Sequence, residues 1–192
     1  MKKQSPSACE RWLNKYNTTG DTFFGSLTLT QKTTNEAKII TFQFKILHNI
    51  LNTKENLYKW DICESEICTN CDDNYIDDIV HEFTGCKQSK QIINAIAKDL
   101  GLLKEFKKIS KTEFVFGTPD LALNNIILLA KYTIHTNRQK YLPFSLDAFR
   151  KELYKRIVSD SRSLSLTKFD KKWGTHTDLV MSAKTFFKNL CS

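Results

Sequence analysis

The sequence predicts a mostly α-helical domain of six or seven helices. Gly and Pro number only six and three in 192 residues, too few turn formers for a strand-rich sandwich or barrel. Apolar residues recur at helical spacing in one stretch after another. Between two such stretches, ICTNCDDNYIDDIVHEFTGC gathers Cys68, Cys71 and Cys86 with His81, one of only four histidines, within nineteen residues.

Residues 1–34 are polar, with Trp12, Phe23 and Phe24 as isolated anchors. They read as an arm with a short helix near 8–16. TNEAKIITFQFKILHNIL follows with a broad apolar face, and Thr33 and Glu36 stand in capping-box register. His48 reads as a half-buried helix residue. TKENLYKW opens a second helix with Thr53 as N-cap and Leu57 and Trp60 as core anchors. After the cysteine segment, KQSKQIINAIAKDLG is amphipathic, and Gly101 sits where a helix-ending glycine belongs. KTEFVFGTPD reads as extended chain or a turn, because Pro119 breaks a helix. NNIILLAKYTIHTNRQKY is the most apolar helix. SLDAFRKELYKRIVSDSRSL is amphipathic and opens at Ser145. LTKFDKKWG leads to a last helix, TDLVMSAKTFFKNL. The chain divides into the arm (1–34), a zinc-binding helical region (35–101) and a basic helical region (102–192), the last two packed as one domain.

Cys68-x2-Cys71-x9-His81-x4-Cys86 supplies three thiolates and one imidazole, the closed tetrahedral set that structural zinc prefers. This places a CCHC zinc site near the N-terminal half. A CxxC turn lets two sulfurs converge. His-x4-Cys spans roughly one helical turn, so an imidazole on a short helix and a thiolate just past its end can meet one ion. Four protein ligands leave no position for a reacting water, so Zn2+ here is expected to be structural. Cys63 reads as a buried thiol, with a role as replacement ligand left open. Asp72, Asp73, Asp77 and Asp78 make the loop acidic and unsuited to gripping phosphate.

Charge is unevenly spread. Residues 1–86 carry nine Lys/Arg and twelve Asp/Glu, net −3, while residues 87–192 carry twenty and nine, net +11. A basic half suggests a polyanionic partner, although lysine also serves plain solubility. No apolar run is long enough to span a membrane, and MKKQSPSACERW has no apolar core of a secretory signal. An intracellular protein of nucleus or cytoplasm, with reduced cysteines and no membrane partner, is expected.

The runs TFQFKILHNILNTKENLYKW, ICTNC…HEFTGC, GTPD…NNIILLAKYTIH…R and FDKKWG resemble the C-terminal zinc-binding region of non-LTR (LINE-type) retrotransposon reverse transcriptases, over about residues 36–174. On that resemblance Cys68, Cys71, His81 and Cys86 map onto the family's ligands. It implies binding of RNA and target DNA beside a polymerase, which for this chain would be a separate reverse transcriptase polypeptide. The loop between Cys71 and His81 is slightly longer than the family's usual one.

The catalytic parts of that family are not legible here. YIDD at 75–78 lies inside the cysteine loop without a preceding hydrophobic strand. Pro119-Asp120 lacks the later Glu-x-Lys of a nuclease and reads as a turn. His135 and His176 have no adjacent nucleophile. The expected function is therefore non-catalytic binding of RNA or single-stranded DNA. Phosphate contacts are expected from Lys131, Arg138, Lys140, Arg150, Lys151, Lys155, Arg156, Arg162, Lys171 and Lys172. Tyr141 is a candidate for base stacking, and Trp173 is better read as core. A zinc-stabilised protein–protein interaction module, with an apolar groove for a partner helix, is the alternative.

Overall fold

A computed structural model of the chain describes Glu10, Trp12 and residues 20–190. Among the described residues it is all helical, with ten α-helices and the four Cys/His side chains in the N-terminal half. They are α1 (Gly20–Thr33), α2 (Ala37–Leu47), α3 (Lys54–Lys59), α4 (Lys87–Asp99), α5 (Leu103–Lys108), α6 (Lys111–Phe116), α7 (Leu121–Gln139), α8 (Leu146–Ser163), α9 (Leu166–Trp173) and α10 (Thr177–Leu190). A π-turn, His81–Gly85, precedes α4, and a 3-10 turn, Gly174–His176, joins α9 to α10.

Helix α7 organises the rest. From Ala122 to Lys131 every residue is buried, so this stretch is core on all sides. Helices α1, α2, α4, α8 and α9 pack on it. One continuous core runs from Phe42 and Leu47 through Phe83 and Ile126 to Phe149 and Ala183.

Several ends form as their residues dictate. Thr53 and Ser145 accept hydrogen bonds from the Asn56 and Ala148 amides. Gly101 follows α4 at φ +70, where a side chain is disfavoured. His48 is half-buried and packs its ring on Phe44, 4.0 Å between centroids.

Other expectations fail for tertiary reasons. Residues 20–33 are a helix, not an irregular arm; α1 buries Phe23 and docks on α2 and α7, while Phe24 faces solvent. The expected short helix at 8–16 lies outside the described residues apart from Glu10 and Trp12, whose buried indole donates to the Leu47 carbonyl. Thr33 ends α1 instead of capping α2, and Glu36 takes the N-cap without a side-chain bond. Trp60 is 44 % exposed, not a core anchor. Lys111–Phe116 is a helix, because Ser110 and Glu113 close a reciprocal capping box and Phe114, Val115 and Phe116 are buried. Asp120 caps α7 at the Leu123 amide, so Pro119 precedes a helix start.

Lys131 is a buried cation without a buried anion. Its Nζ donates to Gln43 Oε1 and to the Val115 carbonyl, both at 2.8 Å. Burial holds its pKa down at about 7. The unfolded chain therefore binds an extra proton between about pH 7 and the ordinary lysine value of 10.5. Stability contributed here rises with pH across that window, by up to about 1.4 kcal/mol per pH unit, and is lowest below it. Denaturant melts of Lys131→Met at pH 6, 7.5 and 9 should lack the rise shown by the parent chain; parallel pH profiles would refute the assignment.

Candidate metal centre

Between residues 57 and 78 only Cys68 and Asp77 are buried. This segment leaves its large apolar side chains, Tyr58, Trp60, Ile62, Tyr75 and Ile76, exposed, so something other than hydrophobic burial must hold it. A minimal hairpin does part of the work. The Cys68 amide donates to the Tyr75 carbonyl, the Asp77 amide donates to Glu66, and Ile67 bridges Ile76. The Asn70 amide points at Cys68 Sγ at 3.4 Å.

The other half of the site comes from the π-turn. On an α-helix, residues five apart face about 140° away from each other. The i→i+5 turn closed by the Cys86 amide on the His81 carbonyl brings them to one side. Asp78 accepts from the His81 amide at 2.7 Å and starts the turn. Gly85 leaves the space the imidazole occupies: a Cβ there would stand 2.9 Å from His81 Nδ1. The sequence gives a signal for this in HEFTGC, where Gly precedes the last ligand.

The four ligand atoms lie within 4.8 Å of one another. Cys68 Sγ and Cys86 Sγ are 4.0 Å apart, and Cys71 Sγ is 3.5 Å from His81 Nε2. A tetrahedral ion about 2.3 Å from sulfur and about 2.0 Å from nitrogen puts such pairs about 3.8 and about 3.5 Å apart. The side chains are thus spaced to hold one metal ion, consistent with zinc. Burial lowers the His81 pKa and favours the neutral imidazole that coordination needs. Burial pushes the Cys68 thiol up to about 12, so an incoming cation must displace a proton. Cys63 stays outside this cluster, with its sulfur against the Lys54 and Ser65 carbonyls.

A layer of charge surrounds the ligands. Arg138 Nη2 lies 2.8 and 2.9 Å from the two Asp77 oxygens and 3.6 Å from Cys68 Sγ. Its Nη1 is 3.8 Å from Glu82, which also meets His135 Nδ1 at 2.9 Å. With its amide turned to suit its neighbours, Asn70 accepts from Arg138 Nε and Nη2 and donates to Gln88. Burial alone would lower the Arg138 pKa, but Glu82 and Asp77 hold it above the usual guanidinium value. His135 and Arg138 lie three apart on α7, so one helix face clamps the metal loop.

This changes the meaning of the expected phosphate contacts. Lys131 and Arg138 are interior groups of α7. Arg156 is 6 % exposed and pairs with Glu36 at 2.9 Å. Lys172 is buried, with Nζ 2.7 Å from Asp160 and donating to the Thr33 carbonyl. These four serve the core, because each lies on the packed side of its helix. Arg150 is half-buried and holds Asp99 and Asp147. Lys140, Lys151, Lys155, Arg162 and Lys171 are exposed. Trp173 is fully buried and its indole donates to Asp160, whereas Tyr141 is 92 % exposed. His135 and His176 each end on a carboxylate, Glu82 and Asp120.

No protein-family model, curated protein or solved structure matches this chain. The site therefore stands on its own geometry.

Two perturbations test it. Stripping metal with a strong chelator, or Cys71→Ser, should lower the melting temperature sharply, since binding here is coupled to folding; unchanged melts would mean that no ion supports the fold. Arg138→Met should destabilise by about 3–5 kcal/mol by leaving Asp77 and Glu82 without their cation. A loss below about 1 kcal/mol in denaturant melts would contradict the clamp.

Proposed function

We propose that this chain is a zinc-stabilised, non-catalytic module that binds RNA or single-stranded DNA, acting in the nucleus or cytoplasm. The observation that carries the reading is the exposed basic side of α8 and α9. Lys151, Lys155, Arg162, Lys168 and Lys171 all face solvent there. Among the described residues, only Lys155 of these five meets a carboxylate, Glu152 at 3.9 Å. Lys168 and Lys171 open onto a recess of about 440 Å³ that Lys32 also lines, with Asp160 its one carboxylate. Asp160 is already engaged by Lys172 and Trp173. Such a surface suits a flexible phosphate backbone, which needs accessible cations in a row more than fixed directional partners. Exposed Tyr141, beside Lys140, supports base stacking at the end of α7.

Zinc is the ion that three thiolates and an imidazole in a closed tetrahedron favour. Its role is architectural, since all four positions belong to the protein. From Asp61 to Cys86 the chain has eight acidic residues and no Lys or Arg. That loop repels phosphate and favours the basic C-terminal helices for nucleic acid. The resemblance to the tail of a retrotransposon reverse transcriptase supports the same reading, with a reverse transcriptase as the enzyme it would accompany.

The test is binding of single-stranded RNA and oligothymidine across a salt series. A slope of several units in log affinity against log salt is expected, falling by about one unit per contact removed in Lys151→Glu, Lys155→Glu, Arg162→Glu and Lys171→Glu combinations. Absence of binding at low salt would end the reading.

A further inference from the structure

A second surface adjoins the π-turn of the metal loop and is lined by different residues. The π-turn, α4, α5 and α6 enclose a groove of about 340 Å³. Its floor is Phe83 and Phe114, 0 % and 6 % exposed, and its walls include Ile93, Leu103 and Phe106. Helix α5 buries none of its residues completely, although it carries Leu103 and Phe106. Its apolar side is therefore left half-covered, with Leu103 at 38 % exposure.

Around this floor stand three ammonium groups, one from each helix: Lys90, Lys107 and Lys111. All three are exposed. No carboxylate lines the groove, and among the described residues none pairs with these lysines. Water against the partly exposed Ile93, Leu103 and Phe106 and three like charges without counterions are both unfavourable. A ligand that brings apolar groups and flanking anions relieves both at once.

Nucleic acid fits this groove poorly. Bases stack on open aromatic faces, and the rings of Phe83 and Phe114 are packed into the core. The partly exposed walls, Ile93, Leu103 and Phe106, instead accept Leu, Ile or Phe side chains, as helix-in-groove recognition does. We propose that the groove docks an acidic amphipathic segment of a partner protein, with apolar side chains against Ile93, Leu103 and Phe106 and carboxylates on Lys90, Lys107 and Lys111. Phe83 belongs to the π-turn, so the metal loop shapes the floor of this site. The proposal is independent of the nucleic-acid reading, because no residue of the α8–α9 surface takes part.

Fluorescence anisotropy on the full metal-loaded chain tests it. The probe is a labelled synthetic peptide of about 16 residues with Leu at i, i+3, i+4 and i+7 and Glu on the opposite face. A peptide of the same composition in scrambled order is the control, and oligothymidine is the competitor. Micromolar binding of the patterned peptide is expected, at least about tenfold weaker for the scrambled one. The combined Lys90→Glu, Lys107→Glu and Lys111→Glu variant should lose at least about tenfold. So should Leu103→Glu, which leaves all three lysines in place. Both change exposed or half-exposed side chains, and melting curves check that the fold persists. Lys151→Glu with Lys171→Glu should bind the peptide like the parent chain. Three results would overturn the proposal: no peptide binding, equal binding of the scrambled peptide, or displacement by oligothymidine that itself weakens in Leu103→Glu.

Discussion

The guanidinium of Arg138, held between Asp77 and Glu82 and 3.6 Å from Cys68 Sγ, is where the metal loop and the helical core constrain each other. The loop leaves its large apolar side chains exposed and so does not dock by burial. Three thiolates around a dipositive ion would leave one negative charge at the centre, and Asp77 and Glu82 add two more beside it. A desolvated cation anchored on a rigid helix answers that charge and fixes where the loop sits. The π-turn then faces α4 and α6 in one orientation, and the core beyond it closes over Phe83.

The same device recurs along the chain. Arg156 with Glu36, and Lys172 through the Thr33 carbonyl, join the late helices to the α1–α2 turn, while Lys172 with Asp160 ties α9 to α8. Asn124 and Asn125 reach Thr33 from α7 at 2.8 and 3.2 Å. Buried pairs of this kind add little net stability over apolar packing, since desolvation offsets most of the attraction. They do penalise every alternative packing in which a charge would be left alone. A core built from many short amphipathic helices gains register from them.

Spending cations inside the fold also reshapes the outside. Four of the ten basic residues expected to meet phosphate are absorbed by the core, and a fifth by Asp99 and Asp147. What remains is unevenly charged, with an acidic metal loop and lysines left on α8–α9 and around the α4–α6 groove. These are separate surfaces lined by different side chains, Lys32, Lys168 and Lys171 at one and Ile93, Leu103 and Phe106 with Lys90, Lys107 and Lys111 at the other. Net charge alone does not distinguish them.

The sequence by itself determined the helical class, the ligand set and several helix ends, because these depend on neighbours within a few residues. Periodicity set the faces of α2, α4 and α8. Cys68, Cys71, His81 and Cys86 were legible as one site from spacing, and Thr53, Ser145 and Gly101 from capping chemistry. Only the tertiary structure decided which polar groups face inward. Lys131 reads from the sequence as a phosphate contact but lies in a stretch of α7 that is buried all round, and its partner Gln43 lies 88 residues away. Arg138 finds Asp77 across 61 residues. Helix α1 forms where composition alone suggests an arm, because α2 and α7 cover it. The groove exists only where the π-turn and three helices meet. Local sequence fixes what a segment can become; which charges are buried depends on contacts that no short window contains.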